Sequence, residues 1–374
     1  MEKYDVLVVG GGIAGSVAAR FSAKHGLKTL LIEKLKTPRN KPCSGIQFTY
    51  FEKLIGEKIP RKKLCKNELF NVEIITPYER VIKGRMKMLN FWRSTLDSWL
   101  NSLAIDAGAD FLDETRLVDF QQDEEWITAR VLGKDGANNE VRARYLIVAD
   151  GLFSRIRRRL RPQDFEKKAF GAAINYYFTG EINLNPNTLY MFYKREFAPL
   201  MFAWVYLKDD QWVIGTGANR EPLKYAKQFL NYIKGKYTLH GEIVRREGFA
   251  SPLRGGVYLG QGNILMTGDA AGLIDLYRGL GMDNAALSGR LAVEAIIDSE
   301  KAGCLPIECY QRLMNRIIQR VEKNTAKQAT RYATNEALEQ SLSTLNLIKG
   351  GLLMVVATQI NRVLPPNRTI LLPL

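Results

Sequence analysis

A short apolar strand that runs directly into a glycine turn restricts this chain more than any other stretch. Tyr4 to Val9 (Tyr-Asp-Val-Leu-Val-Val) is brief and β-branched, the pattern of a strand buried on both faces. Gly10-Gly11-Gly12-Ile13-Ala14-Gly15 follows and fits G-x-G-x-x-G through Gly10, Gly12 and Gly15. A helical pattern runs from Ile13 to about His25, and Gly26 supplies its stop. Lys28 to Ile32 reads as a second strand, ending at Glu33 and Lys34. In such a unit the first glycine permits the tight turn and the second lets backbone approach a pyrophosphate. The third lets the helix lie close to the strand. The N–H groups of Ile13 and Ala14 open the helix and offer its positive end to phosphates. Glu33 follows at the spacing, ~20 residues on, where a carboxylate takes ribose hydroxyls. An acid there disfavours a 2′-phosphate, so the pocket suits FAD or NAD and not NADP.

Composition narrows the chemistry. With 374 residues, 46% of them hydrophobic, the chain can build two or three domains. Lys and Arg total 54 against 39 Asp and Glu, a formal charge of +15. That balance favours an anionic partner, such as a phosphorylated cofactor or an acidic lipid surface, or else a plain basic exterior. The sequence lacks the fold motifs that accompany a nucleic-acid-binding patch. Four cysteines (Cys43, Cys65, Cys304, Cys309) and two histidines (His25, His240) do not form a zinc-ligand pattern, so no metal is expected. Nor do they favour Ser-His-Asp or Cys-His hydrolysis. The N-terminal apolar run is too short for a signal peptide, and the run from Gly350 to Ile360 is short of a membrane span. A cytoplasmic protein, with or without membrane association, is expected.

Two later segments distinguish between FAD and NAD. Arg144 to Ser154 contains a strand-like run that ends in Asp150-Gly151. Asn263 to Gly272 contains another that ends in Gly268-Asp269, and Gly279-Leu280-Gly281-Met282 follows. With the first glycine turn, these segments resemble the three FAD fingerprints of the p-hydroxybenzoate hydroxylase-like flavoprotein superfamily, from Met1 to about Ile297. The resemblance implies that Asp269 binds the ribitol chain and that the turn of Gly279, Gly281 and Met282 lies against the flavin ring. It implies that Asp150 and Gly151 serve both FAD and a nicotinamide donor. Arg93 would contact FAD, and Val118 would offer backbone bonds to adenine. No second dinucleotide unit is present, so NAD(P)H or another electron donor would bind transiently.

Within the superfamily the chain is most similar to the geranylgeranyl reductase-like branch. Lys41-Pro42-Cys43-Ser44-Gly45 stands where those reductases carry Cys-Gly-Gly, with Ser44 replacing the first glycine. Ala203-Trp204-Val205-Tyr206-Leu207 resembles their Tyr-x-Trp-x-Phe-Pro segment, with Tyr206-Leu207 in place of Phe-Pro. The resemblance implies an FAD-dependent oxidoreductase that reduces C=C bonds of an isoprenoid or similarly apolar molecule, small or lipid, by hydride from reduced flavin N5. Trp204 and Tyr206 would touch substrate. Cys43 is the candidate catalytic residue: a thiol, with an ordinary pKa near ~8.5, is a competent proton donor. Cys43 could equally be a small buried residue or half of a Cys43–Cys65 disulfide. Two other functions use the same architecture: an aromatic-hydroxylase-like monooxygenase, and an electron-transfer flavoprotein acting on a quinone or protein.

The expected fold is α/β. A Rossmann-type, three-layer FAD domain with a parallel sheet (1–45, 90–168, 255–300) carries an inserted antiparallel substrate domain (46–89, 169–254). A helical region (301–374) closes the chain. Arg155 to Arg161 reads as a cationic helix that either holds phosphate or is a solvated face. Ile348, Leu352, Val355, Val356, Ile360 and Val363 recur at helical spacing. That helix would dip into a membrane interface or pack on the protein's own core or a partner subunit.

Overall fold

The computed structural model describes residues 2–166, 170–252 and 256–371. Its described residues form two eight-stranded sheets with helices between and around them. The expected seams at 168/169 and 254/255, with Gly255 itself, lie outside the described residues.

The first sheet is the nucleotide-type sheet. Its path runs Gly260–Gln261, Ile264–Met266, Asn138–Val148, Glu2–Val9, Thr29–Ile32 and Asp110–Leu112. The five strands from Ile264–Met266 to Asp110–Leu112 are parallel neighbours, in register Leu265–Ile147, Leu7–Leu146, Leu7–Leu30 and Leu31–Phe111. Their apolar continuity follows from burial on both faces: Val6, Leu7 and Val8 are wholly buried. An antiparallel ribbon, Arg116–Gln122 with Ile127–Leu132, is attached to the flank of Asn138–Val148. Helix Ile13–Lys24 packs on helices Arg93–Asp106 and Met282–Ala302.

The second sheet combines two distant parts of the chain. Its order is Leu239–Pro252, Phe170–Ile182, Gln211–Ala218, Ala203–Lys208, Thr188–Phe192, Leu69–Ile75, Val81–Asn90 and Ile46–Phe48. All neighbours are antiparallel except one. Thr188–Phe192 and Leu69–Ile75 run parallel, where the insert meets the later segment, so the sheet is mixed rather than purely antiparallel. Period-two alternation divides its faces. Ala203 and Val205 join Phe229 and Ile233 of helix Pro222–Lys236 in one core, while Trp204 and Tyr206 face the other side.

The tail forms helices Pro306–Arg331, Asn335–Ser341 and Thr344–Val363. The last departs from the core-packing alternative. Of its residues only Ala357 and Asn361 are buried. Ile348, Leu352, Val355, Val356, Ile360 and Val363 are all exposed, from 39% to 84%. Ala357 and Met354 seat the helix against Phe48 and Leu280. No single helix among the described residues is long and apolar enough to cross a membrane.

Helix Met282–Ala302 approaches the glycine helix at a point where no side chain fits. A Cβ on Gly289 would lie 2.2 Å from the Ala14 carbonyl oxygen. Gly289→Ala should therefore cost about 1–3 kcal/mol through overpacking. Gly350→Ala, in a helix with open space around it, should be neutral or slightly stabilising. Denaturant unfolding of the two variants beside the parent protein checks the contrast.

Candidate functional site

The glycine turn is built by crowding. Gly10 has φ +110°, and a Cβ there would lie 2.3 Å from the Ala149 carbonyl oxygen on the neighbouring strand end. A Cβ on Gly15 would meet the Gly10 carbonyl oxygen at 1.9 Å. Glu33 sits beneath this turn and is buried. It accepts from the Gly11 and Leu35 N–H groups at 2.9 and 3.1 Å and pairs with Arg39 Nε at 3.1 Å. Asn101, reaching from helix Arg93–Asp106, donates to the Gly11 carbonyl at 3.1 Å and to Ser16 Oγ at 2.8 Å.

A buried charge array continues from there. Arg39 reaches Asp97 at 3.3 Å, and Arg93 forks onto both Asp97 oxygens at 2.8 Å. Burial pulls the Arg93 guanidinium down, yet the Asp97 carboxylate holds it above the ordinary arginine range. Two cations and two carboxylates thus fix the floor between the glycine turn and Cys43. The guanidinium of Arg93 is committed to Asp97 and lies beside that thiol.

At the other end, Asp150 and Gly151 close the central strand. Asp150 Oδ2 accepts from Arg155 N at 3.1 Å. Asp150 Oδ1 is shielded from solvent and has no hydrogen-bond partner among the described residues. Burial pushes the carboxyl up to about 6. Gly268 has φ +56° and donates to Ser288 Oγ at 2.9 Å. Asp269 pairs with Lys41 at 3.0 Å.

The Gly279–Met282 turn is braced from behind. Asp275 and Leu280 exchange backbone bonds at 3.0 and 3.2 Å. Buried Arg278 bonds Asp283 and lies 3.7 Å from Asp275, while Tyr50 donates to Asp283 at 2.7 Å. Asn324 and Arg320, on helix Pro306–Arg331, donate to Asp275 and Asn284 at 2.7 Å.

These parts converge on a cavity of ≈ 780 Å³. Gly10, Gly12, Ile13, Ala14, Glu33, Lys34 and Arg93 line it at one end, and Asp150, Gly151, Gly268, Asp269, Gly279, Gly281 and Met282 further along. The second sheet, with the chain leading into strand Ala203–Lys208, closes it with an apolar wall that includes Ile46, Leu189, Met201, Phe202, Trp204 and Phe249. Cys43 lies at the junction, its thiol donating to Met282 Sδ at 3.7 Å.

Several expected residues take other positions. Gly15 is a packing residue beside the cavity rather than in its wall. Val118 is 43% exposed and off the cavity, whose wall there is Thr115, Arg116 and Leu117. Trp204 and Tyr206 both line the cavity, but their polar atoms are committed within the protein. Trp204 donates to Asn175 at 2.9 Å and Tyr206 to the Ser44 carbonyl at 3.2 Å. Cys43 and Cys65 are both free thiols, which removes the disulfide alternative. The cationic run is not a uniformly solvated face: Arg157 is buried, bonding Asp164 at 2.8 Å and the Gly256 carbonyl at 2.9 Å.

Sequence reasoning missed Arg39, Lys41, Asp97 and Asn101. Asp97 carried a usable signal, an acid four residues after Arg93 on one helical face. Arg39 and Lys41 come from irregular chain, where no period predicts direction.

A family model described as FAD binding domain matches residues 3–325. Digeranylgeranylglycerophospholipid reductase 2 of Methanothermobacter thermautotrophicus is 30% identical over 324 residues, covering 79% of each chain. The chloroplastic geranylgeranyl diphosphate reductase of Nicotiana tabacum is 28% identical, covering 81% of this chain and 68% of that one. A geranylgeranyl bacteriochlorophyll reductase-like structure from Thermoplasma acidophilum superposes with TM-score 0.82 over 92% of both chains at 23% identity, a likeness of fold. The residues here fit such a dinucleotide. Side chains are excluded at Gly10 and Gly15, a carboxylate lies beneath the turn, and a shielded Asp150 oxygen lacks a partner among the described residues.

Asp150 gives a pH test. Its folded value lies above the ordinary 3.8, so the folded protein holds an extra proton between about pH 4 and 6. The stability from this group is full below that window and is lost as pH rises through it. Asp150→Asn should therefore gain about 1–3 kcal/mol relative to the parent between pH 4 and 7. Paired denaturant titrations at pH 4, 5, 6 and 7 measure that growing difference.

Proposed function

Because this chain belongs to the FAD-binding-domain family, in its geranylgeranyl reductase-like branch, we propose that it reduces C=C bonds of an isoprenoid lipid. It is an FAD-dependent oxidoreductase. The observation that carries the reading is one continuous cavity. Its nucleotide-side wall is glycine turns and acids, its substrate-side wall is hydrocarbon and aromatic, and a thiol stands where the two meet. The relatives are named as reductases of digeranylgeranylglycerophospholipid and of geranylgeranyl diphosphate, and an apolar wall suits substrates of that kind.

FAD would be held by Gly10, Gly12, Ile13, Ala14, Glu33, Asp150 and Asp269, and when bound and reduced it supplies hydride, refilled by NAD(P)H or another donor. The protein's own work is placement and proton supply. Phe202, Trp204 and Phe249 hold the alkene and exclude water. In the Gly279–Met282 turn the Gly279 and Leu280 N–H groups are spent on the Leu276 and Asp275 carbonyls, which leaves those of Gly281 and Met282 to stabilise charge, braced from behind by the Arg278–Asp283 pair. The Cys43 S–H delivers a proton to the second alkene carbon, so that hydride and proton together add H2 across the bond.

The exposed apolar residues of Thr344–Val363 fit a helix lying in a lipid–water interface, with Lys349 and Arg362 to meet anionic headgroups. The helix packs on Leu280, a cavity-lining residue, so an interface that it met would lie beside the substrate chamber.

Two measurements test these readings. With reduced FAD at equal occupancy, Cys43→Ser and Cys43→Ala should both lower alkene reduction by ~10²–10⁴-fold. Unchanged turnover in both removes the proton-donor role, and an oxygenated product in air identifies a monooxygenase. Separately, the triple variant Ile348→Glu, Leu352→Glu, Val355→Glu should abolish flotation with anionic liposomes. Flotation equal to that of the parent rejects the interfacial helix.

A further inference from the structure

Strand Ala203–Lys208 ends in a charge that none of the roles above employs. Lys208 is 1% exposed, and it shares a face with Trp204 and Tyr206 at the two-residue period of a strand. Its ammonium donates to the Ser44 carbonyl at 2.8 Å and to the Phe91 carbonyl. The Trp92 ring lies 4.8 Å from it. Tyr206 OH donates to the same Ser44 carbonyl at 3.2 Å. Between these groups is Gly45, with φ +61°. A Cβ there would meet the Phe91 carbonyl oxygen at 1.9 Å and Lys208 Nζ at 2.5 Å. Phe91 N donates back to the Gly45 carbonyl at 2.9 Å.

We infer that Lys208 is a positioning residue: with Tyr206 it grips the Ser44 carbonyl and, by clamping the Cys43–Gly45 turn to Phe91, fixes the Cys43 thiol at the junction of the two cavity walls. A buried ammonium needs acceptors, and here they are backbone carbonyls on the two segments that flank Cys43. The catalytic consequence rests on Cys43 being the proton donor; the grip itself does not.

The surroundings make the grip sensitive to pH. Burial brings the Lys208 ammonium down to about 8. The Asp209 carboxylate faces it and favours its charge, Arg93 opposes it, and the Cys65 and Cys43 side chains stand beside it. Burial pushes the Cys65 thiol up to about 11 and Tyr206 well above its ordinary range. Asp209 is occupied by Trp92 Nε1 and Lys66 N, both at 2.7 Å. Raising the pH through 8 thus removes the charge that strengthens both carbonyl bonds. The sign for stability is opposite. A lysine whose folded value lies below its unfolded one adds to stability as pH rises between about 8 and 10.5. Loosening of the turn and global unfolding are therefore separable.

Hydrogen exchange on the FAD-loaded protein reads the turn directly. Protection of the peptide spanning residues 41–48 should fall about 10- to 100-fold in Lys208→Met and less in Tyr206→Phe, with protection in helix 13–24 unchanged. The double variant should lose less than the product of the single effects, because both donors share one acceptor. In the parent protein, which needs no substitution, the same peptide should lose protection from pH 7 to 9.5 after correction for intrinsic exchange. Turnover should follow, with kcat falling through pH 8 and KM level. Protection that stays constant across that range, or in Lys208→Met, overturns the inference. Protection that falls while kcat holds overturns the positioning role. If Cys43→Ser leaves turnover intact while protection still depends on Lys208, the proton-donor reading fails and the clamp stands.

Discussion

The rest of the site depends on backbone meeting backbone without a Cβ between. Gly15 lies against the Gly10 carbonyl, Gly10 against Ala149, and Gly289 against Ala14. These contacts draw three chain segments, separated by more than a hundred residues each, onto one point at the head of the parallel sheet. Interiors packed at crystal-like density do not yield by a methyl group. The glycines therefore set how close the helices come, and so where the nucleotide-side wall of the cavity stands.

Polar groups then fix what the glycines bring together. Glu33, Arg39, Asp97 and Arg93 form a chain of ion pairs under the floor, and Asp275, Arg278, Asp283 and Tyr50 form another behind the opposite turn. Buried ion pairs add little net stability over hydrocarbon, but breaking one is costly, and each has few geometries that satisfy it. Their value here is direction: they brace the turns that line one chamber. The second sheet and the chain leading into it contribute an apolar wall through Phe202, Trp204 and Phe249.

Much of this was legible in the amino-acid order, for physical reasons that can be named. The Tyr4–Glu33 unit was readable because strand period, glycine spacing and a terminal acid are local and mutually consistent. Asp150, Asp269 and the Gly279–Met282 turn were readable because each follows an apolar strand-like run or a glycine pair. Val118, expected to meet adenine through its backbone, sits at a register shift between Leu117 and Asp119, and a bulge leaves no trace in composition. Arg39 and Lys208 escaped for another reason. Charged residues read as solvated until folding shows what buries them, and their partners lie on other segments. The exposed helix Thr344–Val363 had the right period, but a period alone does not say whether water, lipid or protein meets the apolar side.

The interleaving of the two sheets has a consequence for how the chain is born. Strand Glu2–Val9 pairs with Thr29–Ile32 early, but its other edge waits for Asn138–Val148, which in turn waits for Ile264–Met266. Between these arrivals the ribosome must deliver the whole inserted sheet. A nascent polypeptide of this layout carries Val6, Leu7 and Val8 with one strand edge open until Asn138–Val148 emerges, and that strand in turn stays open until Ile264–Met266, with long-range pairings that close slowly. Maturation therefore depends on keeping that first strand from foreign edges until its last neighbour emerges.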